Sequence, residues 1–159
     1  MMTEIRVIAL PTEMVQRVLT TMKSPGYGHP TYTELATGHG PCRHCLRPFR
    51  VQQERRTLFT CNPFYDLAKV PLPGPVFVHV EMCERFREDA GYPAELLPFA
   101  VVLDGYDTEQ RVVLQRTADA NRQEETVRAM LADPEVRYVM VRDLEAGCYD
   151  FRVERGQIA

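Results

Sequence analysis

The stretch FAVVLDGYDTEQRVVL, residues 99–114, decides the fold class of this chain. Two apolar runs rich in valine flank the segment DGYD at 104–107, and a turn signal between two such runs predicts an antiparallel β-hairpin. A hairpin joins two neighbouring strands directly, whereas parallel strands need a long crossover connection. The stretch therefore favours an antiparallel sheet.

The segments around this hairpin predict helices and further strands. Apolar residues at helical spacing predict a helix over 11–22, and a short helix is expected over 83–90. Another helix is expected after Asn121, which with Glu124 resembles a capping box, and Asp-Pro at 133–134 should end it. Further strands are predicted at 5–9, 57–61, 76–81, 136–142 and 149–154.

This order of elements predicts an α+β fold. The order β-α-β-β-β-β-α-β-β contains hairpins and no repeated βα unit, so we expect one mostly antiparallel sheet with two main helices packed on a face. The 159 residues suit a single domain over 1–159. Residues 23–41 show no clear period, and they are interpreted as a surface loop or a flap over a site. Residues 62–75 are expected to form a proline-punctuated loop.

Composition and charge argue against several classes of partner. The formal net charge of -3 supplies no general attraction for nucleic acid or acidic membranes. No apolar run approaches the ~18 residues of a membrane span, and no signal peptide is evident. Five cysteines without an export signal favour thiols or metal ligands in the cytoplasm over disulfides. No Gly-rich phosphate loop is present, so no nucleotide cofactor is expected; homo-oligomer formation stays open.

The densest group of reactive side chains lies in HGPCRHCL, residues 39–46. Cys42 and Cys45 have the spacing with which one turn can hold two ligands of a zinc ion. His79 ends a predicted strand, and Cys83 follows four residues later, so these two could complete a set of four. We therefore predict a zinc site. Its ligands are Cys42, Cys45, His79 and Cys83, with Cys148, His39 and His44 in reserve.

Two other uses of these residues stay open at this point. Cys42 could serve a thiol-dependent enzyme or redox protein, with Arg43 lowering the thiol pKa and His79 acting as a base. These three residues are the catalytic candidates. Alternatively, the cysteines only pack, and the protein binds a small molecule or another protein without chemistry. Four arginines could then clamp a carboxylate or phosphate: Arg43, Arg47, Arg50 and Arg142.

Several segments, in order, resemble a bacterial family catalogued as domain of unknown function 1203. They are PCRHCL at 41–46, GPVFVH at 74–79, Cys83, VR at 141–142 and GCYDFRVER at 147–155. The resemblance covers residues from about 40 to 155. It implies a soluble bacterial protein of about this length with no assigned activity. It also implies a site around Cys42, Arg43 and His79, with Cys148 at a further motif position.

Overall fold

The computed structural model describes residues 4–66 and 74–156, which form eight strands and two α-helices. A single turn of 3-10 helix covers Ala94–Leu96. The helices are α1 (Thr12–Thr21) and α2 (Gln123–Leu131). The strands are β1 (Ile5–Ile8), β2 (Tyr32–Leu35), β3 (Arg55–Cys61), β4 (Gly74–His79), β5 (Val101–Tyr106), β6 (Val112–Ala118), β7 (Tyr138–Asp143) and β8 (Tyr149–Arg155).

The strands form two antiparallel sheets, so the expectation of one sheet is wrong. The larger sheet has the order β1-β8-β7-β5-β6, and the smaller has the order β2-β3-β4. The antiparallel α+β character holds, although the helices are few and short. Strand β2 lies within the segment 23–41, for which the sequence predicts a surface loop or flap, so that prediction is wrong for these four residues. Its four residues carry no strong apolar alternation, because both of its faces are half-buried or exposed.

The predicted hairpin is confirmed, but its turn lies further along the chain. The Asp-Gly pair at 104–105 is inside β5, and the turn runs between β5 and β6. Asp107 builds this turn, since its Oδ1 accepts the backbone N–H groups of Glu109 and Arg111. A short carboxylate side chain that bonds its own backbone is a common basis for tight turns. The hairpin prediction is therefore correct, but the turn lies further along the chain than the Asp-Gly pair at 104–105.

Both main helices are confirmed, while the expected start of α2 and a third helix are not. Asn121 has a φ of +66°, and α2 begins at Gln123 with no side-chain cap, so the capping box is wrong. Residues 83–90 are irregular rather than helical. The backbone N–H of Phe86 donates to the carbonyl of His44, which draws this segment toward the site described below. Tertiary contacts thus override the local helix signal.

Strand β7 separates two clusters of buried apolar side chains. Val139 and Val141 face one cluster, between the larger sheet and α2, whereas Tyr138 and Met140 face the other. The second cluster lies between the two sheets and also holds Val15 of α1. The apolar residues on both faces of this strand, evident in the sequence, therefore reflect burial on both sides. The smaller sheet and its adjoining loop pack against the larger sheet through this second cluster.

Some sequence predictions fall outside the described residues. The predicted proline-punctuated loop at 62–75 includes residues 67–73, which lie outside the described residues. Residues 1–3 also lie outside them. The single-domain organisation over 1–159 stays a prediction. Among the described residues, no helix combines the length and apolar character needed to cross a bilayer.

The buried position of β5 leads to a test of the core. Leu103 is fully buried there, so Leu103→Ala should lower the free energy of unfolding by about 2–5 kcal/mol through lost burial and a cavity. Leu144→Ala is the matched control, because Leu144 is 45% exposed and its truncation should cost less than about 0.5 kcal/mol. Urea titration measures both values. Equal losses in the two variants would contradict the described core.

Candidate metal centre

Three segments of the chain converge at one end of the smaller sheet. Cys42 and Cys45 belong to a tight turn in which the backbone N–H of Leu46 donates to the carbonyl of Cys42 at 2.8 Å. His79 is the last residue of β4, and Cys83 follows in the irregular segment after it. The turn is tied to β4 by its own backbone, since the N–H of residue 43 donates to the carbonyl of residue 77.

The four predicted ligands are brought together by this convergence. Their ligand atoms all lie within 4.8 Å of one another. The Sγ atoms of Cys42 and Cys83 are 3.7 Å apart, and Cys45 Sγ is 3.5 Å from His79 Nδ1. A disulfide needs sulfur atoms about 2.05 Å apart, so these cysteines are free thiols. A cluster of three sulfurs and one imidazole nitrogen at these distances could hold a metal ion.

The cluster is largely enclosed by protein. Cys42 and Cys45 are buried, while His79 and Cys83 are half-buried. The ring of Phe49, itself buried, meets the His79 ring edge-on with centroids 4.9 Å apart. Apolar packing on the imidazole fixes its orientation and keeps the ligand atoms directed at one another.

The titration behaviour of the cluster follows from its crowding. Hydrogen bonds from Cys42 and Cys83 hold the pKa of the Cys45 thiol well below its usual range. The same network raises the pKa of Cys83, because its thiolate would face two other sulfurs. Hydrogen bonds with Cys42 and Cys45 raise the pKa of His79 to about 10. The sulfur atoms thus stabilise the positive charge of a protonated His79, and they would stabilise a bound cation in the same way.

His44, a reserve ligand in the sequence prediction, supports the cluster from outside it. Its Nδ1 lies 3.1 Å from Cys83 Sγ, and its Nε2 lies 2.9 Å from the hydroxyl oxygen of Thr12. Both ring nitrogens are therefore engaged, and the ring is fully buried. Burial lowers the pKa of His44, so the neutral imidazole is favoured. Hydrogen-bond partners in such supporting positions orient the side chains that they contact and tune their basicity.

Two charged side chains contact the cluster from its other sides. Glu54 Oε1 lies 3.6 Å from Nε2 of His79, the ring nitrogen that faces away from the sulfurs. The side chain of Arg47 hydrogen-bonds Cys45, and this contact raises the pKa of Arg47. Sequence reasoning missed Glu54, because one glutamate among many acidic residues carries no distinguishing signal. The pairing of β3 with β4 places the start of β3 beside His79.

The remaining candidate residues lie elsewhere. His39 is exposed, and its ring packs against Phe99 with centroids 5.4 Å apart. Cys148 lines a cavity beside β8. The Arg43 side chain is directed toward β8, where its Nε donates to the carbonyl of Tyr149 at 2.7 Å. The structure therefore does not bring the Arg43 guanidinium to the sulfur atoms of the cluster.

The other arginines proposed as an anion clamp are also dispersed. Arg142 donates to Asp104 at 2.6 Å within the larger sheet, and Arg50 contacts Glu54 at 3.5 Å on the surface. Together with Arg47 at Cys45 and Arg43 at β8, these side chains contact four different partners. They do not form one clamp.

Fold and site together define an α+β protein with a cluster of three cysteines and one histidine that could hold a metal ion. The chain belongs to the family described as "Protein of unknown function (DUF1203)", whose model matches residues 39–155. The resemblance found in the sequence is thereby confirmed. Neither the curated proteins nor the solved structures contain a match to this chain. The functional argument therefore rests on the geometry of the site.

The two histidines of the turn region offer a matched pair of variants. His44→Phe removes the contacts to Cys83 and Thr12 while keeping an aromatic ring, so it should weaken the affinity for divalent metal by about tenfold or more. His39→Phe should leave the affinity unchanged, since His39 lies outside the cluster. Competition with a chromophoric chelator measures both constants. If the two variants behaved alike, the supporting role of His44 would be wrong.

Proposed function

We propose that this protein binds one zinc ion through Cys42, Cys45, His79 and Cys83, and that the ion has a structural role. The observation that carries the proposal is the spacing of the four ligand atoms. Zinc–sulfur bonds of about 2.3 Å at the tetrahedral angle place two sulfurs about 3.8 Å apart. A zinc–nitrogen bond of about 2.0 Å places nitrogen about 3.5 Å from sulfur. In the cluster, the sulfurs of Cys42 and Cys83 are 3.7 Å apart, Cys45 Sγ is 3.5 Å from His79 Nδ1, and all four ligand atoms lie within 4.8 Å of one another.

The chemistry of the donors favours zinc over the hard divalent cations. Magnesium and calcium prefer oxygen ligands, whereas three thiolates and an imidazole suit zinc. Three thiolates with one Zn²⁺ leave a net charge of about -1 at the site. Arg47 lies beside Cys45 and offsets part of that charge. With Cys83 bound as a thiolate, the Nδ1–H of His44 donates to its sulfur, and Nε2 accepts from the Thr12 hydroxyl.

The number and burial of the ligands support a structural role rather than a catalytic one. Structural zinc sites use four protein ligands, and catalytic sites keep one position for water or substrate. Here four protein groups are available as ligands within 4.8 Å of one another, which leaves no position for water in a tetrahedral site, and two of the four residues are buried. The segment 36–54 contains neither helix nor strand, so ordering it has a large entropic cost. Metal binding by its two cysteines would offset that cost.

The thiol alternative is less well supported by the same contacts. A redox pair needs two sulfurs, and a Cys–His nucleophile needs one sulfur and one base. Neither explains why a third sulfur and a second, supporting histidine meet at the same point. The catalytic candidates Cys42, Arg43 and His79 do not all meet at one point. The guanidinium of Arg43 contacts β8 and not the sulfur atoms. Thiol chemistry stays a hypothesis that the metal measurement below tests directly.

We also propose the cytoplasm as the compartment of this protein. All five cysteines are free thiols. Free thiols persist in the reducing cytoplasm, whereas exported proteins more often form disulfides. A thiolate-rich zinc site also requires that its cysteines stay reduced.

The metal content of the purified protein tests the zinc proposal. Untagged protein prepared without chelator under reducing conditions should contain about one equivalent of zinc. Cys42→Ser removes one ligand and should lose most of the metal, whereas Cys148→Ser, the matched control outside the cluster, should keep it. Elemental analysis gives the content, and thiol titration before and after chelation counts the shielded cysteines. Metal-free native protein, or full retention in Cys42→Ser, would overturn the proposal.

A further inference from the structure

The three cysteines of the cluster differ in their exposure to solvent. Cys42 and Cys45 are buried in their turn, whereas Cys83 is half-buried. Cys83 also lies in the segment 80–84, which follows β4 and contains neither helix nor strand. A small solute that approaches from the solvent therefore meets the sulfur of Cys83 before it meets the other two sulfurs. Exposure and thiolate character together decide which cysteine an oxidant attacks first.

The sulfur of Cys42 is placed to react with that of Cys83. The two Sγ atoms are 3.7 Å apart, and a disulfide bond of about 2.05 Å would require them to approach by about 1.7 Å. Cys45 is engaged elsewhere, because its Sγ lies 3.5 Å from Nδ1 of His79 and it hydrogen-bonds the side chain of Arg47. Among the pairs that include the most exposed sulfur, the contacts thus favour Cys42 with Cys83.

The turn holds Cys42 in place, so the approach falls to Cys83. The next residue, Arg43, forms an ion pair with Asp150, with Nη2 3.0 Å from Oδ1 and side chains that are only 2% and 6% exposed. Its Nε also donates to the carbonyl of Tyr149 at 2.7 Å. Cys83, in contrast, lies in the irregular segment after β4, where a small shift of the backbone breaks no strand pairing.

We propose that a peroxide oxidises this centre by joining Cys42 to Cys83 in a disulfide, with release of the zinc, so that the site is a reversible redox switch. The inference rests on the zinc site proposed above and adds its regulation. The cytoplasm is reducing, and cytoplasmic disulfides are usually transient and redox-sensing, which is the behaviour expected of such a switch.

The reaction balances in two steps. The Cys83 thiolate attacks one oxygen of the peroxide, the O–O bond breaks, and the second oxygen takes up a proton from solvent and leaves as water, or as an alcohol if the peroxide is organic. The Cys42 thiolate then attacks the sulfur of the resulting sulfenic acid, and the hydroxide that leaves becomes water with a second proton. The two sulfurs together lose two electrons, which reduce the peroxide.

The metal leaves because the disulfide removes two of its ligands. Zinc ligands are thiolates, and after the reaction only Cys45 and His79 remain of the four. The new bond takes over the task of the metal, since it connects the turn with the segment after β4. The surface that changes is that of residues 80–84, where the side chains of Val80 and Met82 are exposed.

Hydrogen peroxide, added to the full chain as purified with its metal, tests the inference. A chromophoric chelator should record the release of about one zinc per chain, and two of the five thiols should disappear. Dithiothreitol followed by zinc should restore both the thiols and the bound metal. Retention of the zinc under peroxide, or zinc release that dithiothreitol and zinc do not reverse, would overturn the proposed switch.

Trypsin identifies the disulfide without ambiguity, because a basic residue separates every pair of cysteines in the chain. Arg43 itself lies between Cys42 and Cys45, so these two fall in the peptides 24–43 and 44–50, while Cys83 falls in 70–85. A digest without reductant should contain peptide 24–43 joined to 70–85. A main product that joins 24–43 to 44–50, or oxidised cysteines with no joined peptides, would contradict the inference.

Two variants test the choice of partners. Cys45→Ser keeps both proposed sulfurs, so peroxide should still join Cys42 to Cys83 even where the variant holds its metal weakly. Cys148→Ser changes a cysteine outside the cluster, and it should release zinc and form the same disulfide as the unaltered chain. Loss of the joined peptides in either variant would show that the serine-replaced cysteine takes part and would overturn the assignment.

Thermal unfolding tests whether the disulfide replaces the metal. Oxidised, metal-free protein should have a higher Tm than reduced, metal-free protein, because only the first has a cross-link between the turn and the segment after β4. An equal or lower Tm would contradict the exchange of one cross-link for the other.

The inference and the zinc proposal fail separately. Zinc-loaded protein that keeps its metal under peroxide, or that forms a different disulfide, contradicts the inference alone. Native protein isolated without metal contradicts the zinc proposal, and the joined peptides then still decide whether Cys42 and Cys83 are the reactive pair.

Discussion

The convergence of three sulfur atoms and one imidazole is the constraint on which this part of the structure depends. Free thiols and a histidine from three chain segments lie within 4.8 Å of one another. Such crowding needs a positive charge at its centre or a shared set of hydrogen bonds, because thiolates repel one another. The segment 36–54 has neither helix nor strand of its own. Its path past the smaller sheet is held by the contacts of the cluster together with backbone hydrogen bonds, such as that from the N–H of Arg43 to the carbonyl of Phe77.

The turn from Cys42 to Cys45 serves more than the cluster. Its two cysteines point into the cluster, His44 contacts Cys83 from behind, and Arg43 extends to β8. Four successive residues of one turn thus contact three parts of the protein: the centre of the cluster, its outer side at Cys83, and β8. A metal that fixes this turn also fixes the position of Arg43 in the cavity wall. The cluster and the cavity are in this way connected through covalent geometry rather than through direct contact.

The sequence predicted those features that depend on local pattern. Apolar spacing identified α1 and α2, and Cys-x-x-Cys spacing identified the turn at the cluster. The separation into two sheets depends on which strands pair, and pairing between distant segments leaves no local signal. The sequence gives no reason to prefer His39 or His44 as a residue of the site. Only the fold shows that the His39 ring is exposed and that the His44 ring is buried beside the cluster. Likewise, nothing in the chain sets Glu54 and Asp150 apart from its other acidic residues before the fold places them.

X-ray absorption at the zinc edge tests the central claim most directly, because it reports the atoms bound to the metal. The account predicts about three sulfur atoms at about 2.3 Å and about one nitrogen at about 2.0 Å. Such a shell would match the cluster formed by Cys42, Cys45, His79 and Cys83. A shell of five or six oxygen and nitrogen atoms would contradict it. That result would mean that any metal in the protein is bound elsewhere and that the four side chains meet for another reason.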